Sequence, residues 1–179
     1  MNLYVIRHGK TDWNVQSRMQ GQSDIKLNQI GIEQADEVRK IIEEKNIDLI
    51  ISSPLERTKQ TAEIINKNIN KPIEYNSKIM ERNFGILEGK VAKEIENLDD
   101  YFEYHKNQEL EKGEKIQDFI ARVFEGMEQI EKEHQNKNIL IVTHGGVARA
   151  IDYYFNGLPK ERDVGKSLLS NCEIREYKK

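Results

Sequence analysis

The chain has 179 residues, 33% charged and 37% hydrophobic, a size that suits one domain burying about 70% of its unfolded surface. Its 28 basic and 31 acidic residues leave a formal charge of −3, which excludes an electrostatic footprint for nucleic acid and makes Lys178-Lys179 solvated surface. The one cysteine, Cys172, excludes an internal disulfide and a cysteine-rich metal site, and no apolar run approaches the ~20 residues of a membrane span.

Leu3-Tyr4-Val5-Ile6 predicts a strand buried on both faces, closed by Arg7-His8-Gly9. Arg7 interrupts this run too early for a secretory leader, so the expected compartment is cytoplasmic. Residues 10–27, with Trp13, Asn14, Arg18, Gln20, Gly21 and Asp24, have no period and read as a long loop holding one helical turn at most. A loop of that length behind a strand end is expected to be functional. Ile32, Ala35, Val38 and Ile41/Ile42 recur at helical spacing and predict a helix over 29–45.

Ile47 to Ile51 is the second strand, closed by Ser52-Ser53-Pro54. Ser53 is expected to cap a helix over 54–69, with Pro54 in its first turn and Arg57, Thr58 and Thr61 near an anion-favouring N-terminus. Ile73-Glu74-Tyr75 is a short strand, and Met80 to Gly89 a structured loop. Residues 91–112, with Tyr101, Phe102, Tyr104 and His105, are expected to form one helix and a connection. Ile116, Phe119, Ile120, Val123, Met127 and Ile130 mark the clearest helix, over 115–134.

Ile139-Leu140-Ile141-Val142 followed by Thr143-His144-Gly145 repeats the opening design, and a helix over 147–155 follows. The tail, with Leu168-Leu169 and Ile174 to Tyr177, is expected to add one or two edge strands. Strands alternating with helices predict an α/β fold with a mostly parallel sheet. In such a sheet the strand ends lie along one edge, where ligands bind. Two histidines, His8 and His144, and two arginines, Arg7 and Arg57, would gather there. That concentration of positive charge and donors suits a phosphoryl dianion. Zinc is the competing reading of two histidines, but no third ligand stands at suitable spacing and the arginines oppose a cation.

Arg7-His8-Gly9-Lys10-Thr11 with Asn14 resembles the RHGxT signature of the histidine phosphatase superfamily, the phosphoglycerate-mutase-like proteins. Gln20-Gly21 with Asp24 and Leu27, then Gly31 and Gln34-Ala35, are similar to its next block. Ser52 to Ala62, Glu81 to Gly85 with Glu88-Gly89, and Thr143 to Gly146 resemble the later ones. The resemblance implies a three-layer α/β/α sandwich over a single domain, 1–179, with residues 90–114 as a cap insertion. It implies phosphoryl transfer through a phosphohistidine, with no cofactor and no metal.

In that scheme His8 attacks phosphorus, and Arg7, Arg57 and His144 hold the phosphoryl oxygens. Glu81 enters protonated as the general acid and then activates water. Asn14, Gln20, Gly21, Gly145 and Lys10 are expected to contact substrate. Lys10 stands where the family often has Glu or Gln, and Gly113-Glu114-Lys115 where small phosphatases often have Gly-Glu-Ser. The mutases of the family carry a longer insertion after the acid-bearing loop. A phosphatase acting on a small phosphorylated metabolite, as a monomer or homodimer, is therefore expected. A cofactor-dependent phosphoglycerate-type mutase is the alternative, and a non-catalytic phospho-ligand binding module a remoter one.

Overall fold

The structure is a computed structural model and describes residues 2–160 and 169–178. Among the described residues four strands run parallel: β1 (Asn2–Arg7), β2 (Leu49–Ser52), β3 (Ile73–Tyr75) and β4 (Ile139–Thr143). A fifth, β5 (Ile174–Lys178), lies antiparallel to β1 at one edge, giving the order β3-β2-β4-β1-β5. Among the described residues six α-helices accompany them: α1 (Asp12–Val15), α2 (Gln29–Glu43), α3 (Glu56–Ile69), α4 (Leu98–Phe102), α5 (Ile116–Glu133) and α6 (Gly145–Asn156).

Side chains alternate across each strand, so the apolar runs feed two separate cores. Leu3, Val5, Leu49, Ile51, Ile139 and Ile141 pack on α5 and α6. Tyr4, Ile6, Ile50, Leu140 and Val142 pack on α2 and α3. The result is the expected α/β/α sandwich. Burying each Ile or Leu contributes about 1.5–3 kcal/mol, and both faces must be covered for a parallel sheet to be stable. Among the described residues no helix is long and apolar enough to cross a membrane.

Register fixes where the polar strand ends fall. Arg7 pairs with Thr143 and Ser52 with Val142, so β1, β4 and β2 finish side by side. The ladder runs one residue further on both sides. His8 N–H donates to the Thr143 carbonyl (2.9 Å) and Ser53 N–H to the Val142 carbonyl (3.1 Å). A slip of one residue would turn every buried side chain to the wrong face, so this alignment is strongly specified.

Several expected boundaries shift. The third helix begins at Glu56, not at Pro54, because Leu55 is extended (φ −73°, ψ 143°) and takes the cap position without a side-chain bond. Ser53 therefore does not cap it in the expected way. The last helix starts at Gly145, two residues earlier than predicted, with His144 at its cap position. Two glycines obscured that start, since their helix propensity is poor. Ile47 and Asp48 precede β2. In the 91–112 stretch the one expected helix is the five-residue α4, and a 3₁₀ turn, Ala92–Glu94, precedes it. Of the tail, Ile174–Lys178 is one edge strand, and Leu168 and Lys179 lie outside the described residues.

Candidate active site

His8 follows β1 directly and is buried. Its Nδ1 lies 2.7 Å from the Gly9 carbonyl oxygen. A carbonyl only accepts, so Nδ1 carries the proton and Nε2 keeps its lone pair. Burial, then the charges of Arg57 and Arg7, hold the His8 pKa well below its ordinary 6.5, outweighing the Gly9 bond. At neutral pH His8 is uncharged, with its free lone pair on Nε2.

Three donors surround it. Arg57 projects from the first turn of α3 and is fully buried; its Nη1 donates to the Ser23 carbonyl (2.9 Å) and its Nη2 to the Gly21 carbonyl (2.6 Å). Burial brings its pKa down to about 10, although Glu81, Asp24 and Glu88 favour the charged form. Arg7 ends β1 and donates from Nη1 to the Leu169 carbonyl (2.8 Å). His144, at the start of α6, stands with its ring centroid 5.3 Å from that of His8 and bonds through Nε2 to Ser53 Oγ (2.8 Å). Burial, then Arg57, His8 and Arg7, depress its pKa as well.

Each of these three groups keeps one buried nitrogen without an acceptor: Arg7 Nε, Arg57 Nε and His144 Nδ1. An unmet buried polar nitrogen costs about 1–3 kcal/mol, so three beside His8 are expensive unless a ligand arrives to pair them. A phosphoryl group brings the acceptor oxygens and the charge that the set lacks.

Glu81 reaches the same place from the loop after β3. Its Oε1 accepts from Arg82 N–H (2.9 Å) and its Oε2 from Gly146 N–H (3.1 Å), so the first turn of α6 holds the carboxyl group. A Cβ at Gly146 would lie 2.4 Å from Glu81 Oε1, so a side chain there would have to displace the carboxyl group.

A cavity of about 180 Å³ is lined by Arg7, His8, Arg57 and Glu81. Of the expected substrate contacts, Asn14, Gln20, Gly21 and Gly145 line it as well. Asn14 Oδ1 is engaged by Thr11 N–H (3.1 Å), which leaves its amide N–H groups for a ligand. His144 and Lys10 do not line the cavity. His144 is buried against His8, and Lys10 has its backbone N–H on Gln34 Oε1 (3.0 Å).

Sequence reasoning missed part of the lining: Arg18, Arg82 and Arg149. Arg82 follows Glu81 directly and Arg149 falls at helical spacing from Gly145 and Gly146, signals that point the right way. It also missed the work of Glu88. Its Oε1 accepts from Gln22 N–H (2.9 Å) and Phe84 N–H (3.0 Å), and its Oε2 from Ser23 N–H (2.8 Å). One carboxylate thus ties the loop that anchors Arg57 to the loop that carries Glu81. Gly21, with φ of +54°, fits only as glycine, because a Cβ would lie 2.0 Å from Glu88 Oε1. Among the described residues no three His, Cys, Asp or Glu side chains gather as a metal site.

Comparison with known proteins bears on this arrangement. The chain is 33% identical over 177 residues to the uncharacterized phosphatase PhoE of Bacillus subtilis (strain 168), covering 97% of this chain and 89% of that one. It is 34% identical over 182 residues to the probable phosphoglycerate mutase GpmB of Escherichia coli, covering 97% and 83% respectively. Among solved structures, YhfR of Bacillus stearothermophilus superposes with a TM-score of 0.87 at 29% identity, over 98% of this chain and 89% of that one. The model of the histidine phosphatase superfamily (branch 1) matches residues 3–178. The chain belongs to that superfamily.

Proposed function

We propose that this protein is a phosphomonoester hydrolase that works without a metal, through a phosphohistidine, on a small phosphorylated metabolite. The observation that carries the reading is the pair formed by His8 and Gly9: a buried, neutral imidazole whose proton is fixed on Nδ1, facing three donors that lack an acceptor.

In this reading His8 Nε2 attacks phosphorus as the ester P–O bond breaks. Arg7, Arg57 and His144 hold the non-bridging oxygens, whose charge they stabilise in the transition state. Glu81 gives its proton to the leaving alkoxide. It then takes a proton from water, whose oxygen attacks phosphorus as the P–N bond breaks, and His8 is restored. Residues 90–114, which contribute Phe102 and Tyr104 to the cavity, act as the cap that selects the substrate.

The test is phosphate release from a panel of phosphomonoesters in the presence of EDTA, by wild type and His8→Ala. Release that persists with EDTA and disappears in His8→Ala is expected; undiminished release by His8→Ala sinks the mechanism. Glu81→Gln should slow alkyl esters far more than nitrophenyl phosphate, whose leaving group needs no proton. The GpmB relative keeps a mutase reading in view. Following 3-phosphoglycerate separates the two: a phosphatase releases phosphate, whereas a mutase returns the 2-isomer.

A further inference from the structure

Glu81 sits in a loop that follows the 3₁₀ turn Ser77–Ile79 and belongs to no helix or strand. Backbone groups in such a segment have no ladder to join, so other donors must hold them. Four consecutive carbonyls there accept from side chains. Arg122 Nη1 donates to the carbonyls of Lys78 (2.8 Å) and Met80 (3.0 Å). Thr143 Oγ1 donates to that of Ile79 (2.9 Å). The Glu81 carbonyl accepts from Gln22 Nε2 (3.1 Å) and, at 3.4 Å, from Arg122 Nη2. Arg122 thus serves three of the four from the second turn of α5.

The guanidinium is itself fixed. Its Nε donates to Glu114 Oε1 and its Nη2 to Glu114 Oε2, both at 2.8 Å, the two-pronged geometry in which arginine holds a carboxylate most strongly. Its Cζ also stands 5.3 Å from the centroid of the Phe119 ring. Glu114 is tied to the same loop in turn. Its N–H donates to the Asn83 carbonyl (2.9 Å), and its own carbonyl accepts from Arg82 Nε (2.7 Å). Glu114 and Arg122 therefore grip the chain on both sides of Glu81.

Such a grip matters more to Glu81 than to the other site residues. Arg7 ends a strand, His8 follows it, and Arg57 and His144 stand at helix starts, so the bonds of sheet and helix set their places. The Glu81 carboxyl group is oriented by the N–H groups of Arg82 and Gly146, but these do not fix the backbone from which it hangs. An acid must stand within hydrogen-bond reach of the leaving oxygen, and a shift of about 1 Å can cost on the order of a hundredfold in rate.

We propose that Arg122, locked by Glu114, is a positioning residue that holds the Glu81 backbone where its carboxyl group can protonate the leaving oxygen. The inference rests on the phosphatase reading, in which Glu81 is the acid. Arg122 does not line the cavity and acts through the carbonyls it holds.

The test is the ratio of kcat/KM for glycerol 3-phosphate, whose alkoxide must be protonated, to that for nitrophenyl phosphate, whose leaving group needs no proton. Arg122→Met, which keeps an unbranched stem without the fork, is expected to lower that ratio by at least about tenfold relative to wild type. Partial misfolding lowers both rates alike, so a ratio equal to that of wild type overturns the proposal. Glu114→Gln loosens the fork and leaves the backbone bonds of residue 114 in place; it should lower the ratio too, and an unchanged ratio there overturns the proposal as well. Arg122→Lys restores the charge without the fork, so a full return to the wild-type ratio would mean that charge and not position is at work. In a Glu81→Gln background Arg122→Met should move the ratio no further, because the acid is already gone; a further tenfold fall would place the action of Arg122 elsewhere. Hydrogen exchange decides the question without turnover: amides of residues 80–84 should exchange faster in Arg122→Met while those of β1 and β4 do not, and unchanged exchange overturns the grip. Failure of wild type to release phosphate from nitrophenyl phosphate would count against the phosphatase reading alone.

Discussion

Ser53 Oγ lies 2.8 Å from His144 Nε2, and both residues are completely buried at adjacent strand ends. A neutral imidazole has one N–H, and a phosphoryl oxygen can only accept. For His144 to hold such an oxygen through its unmet Nδ1, the proton must sit there, so Ser53 must donate to Nε2. On the proposed function, Ser53 is thus expected to act as a positioning residue that sets the tautomer of His144. Ser53→Ala should lower kcat/KM by about tenfold, the equivalent of one hydrogen bond of roughly 1.4 kcal/mol. Because the effect acts on the phosphoryl oxygens and not the leaving group, nitrophenyl and alkyl phosphates should suffer alike. A loss confined to alkyl esters would contradict this assignment.

His8 and His144 also set how stability depends on pH. Both folded-state values lie well below 6.5, chiefly through burial. The unfolded chain therefore binds protons that the native chain does not, once pH falls below about 6.5. The sign follows: the contribution of each neutral histidine is complete above that pH and is lost as pH falls towards the depressed folded value. Two such groups give a slope of up to about 2.8 kcal/mol per pH unit across that window. Thermal melts from pH 7.5 to 5 should show a falling Tm. His144→Asn should show a shallower fall than wild type, whatever its absolute stability; an identical pH profile would remove His144 from this account.

The apolar runs made the sheet legible, because a strand buried on both faces must be continuously apolar and Val5, Ile6, Leu140 and Ile141 leave no other choice. His8, Arg7, Arg57 and His144 were legible for a related reason: polar residues just past buried strands have only the sheet edge to occupy. Ser53 was misread. Serine before proline signals a helix cap, but the partner of Ser53 is His144, 91 residues away, and no local pattern reports that distance. Arg149 was hidden similarly, since an arginine on an amphipathic helix reads as surface until Phe102 and the cavity are seen to cover it. Contacts of long sequence separation are what the sequence kept back.

Glu88 illustrates how those contacts hold the site together. It accepts backbone N–H groups from Gln22, Ser23 and Phe84, so its loss would strand three donors in two loops at once. Glu88→Ala should destabilise by about 2–4 kcal/mol, more than a typical surface change, since stranded donors carry their full desolvation cost. The Gln22–Ser23 loop also supplies the carbonyl that anchors Arg57 Nη1, so KM should rise together with the fall in Tm. Denaturant melts and steady-state kinetics on the same sample check the pairing. A large loss of stability with KM unchanged would show that the bridge holds the loops without positioning Arg57.

Gly146 should separate activity from stability. It sits in the first turn of α6, a helical position where alanine is favoured by up to about 1 kcal/mol. Yet a Cβ there would meet Glu81 Oε1 at 2.4 Å, while the Gly146 N–H donates to Oε2 of the same carboxyl group. The carboxyl is the movable partner, because the helix backbone is fixed by its own hydrogen bonds and by Gly145 against Arg7. Gly146→Ala should therefore leave Tm unchanged or slightly raised and push Glu81 out of place. A misplaced acid matters in proportion to the proton that the leaving group needs. Turnover of alkyl phosphates should fall by about tenfold to a hundredfold, and that of nitrophenyl phosphate by much less. Equal losses on both would mean that the added methyl disturbs the phosphoryl cradle and not the acid, and the role given to Glu81 would lose its support.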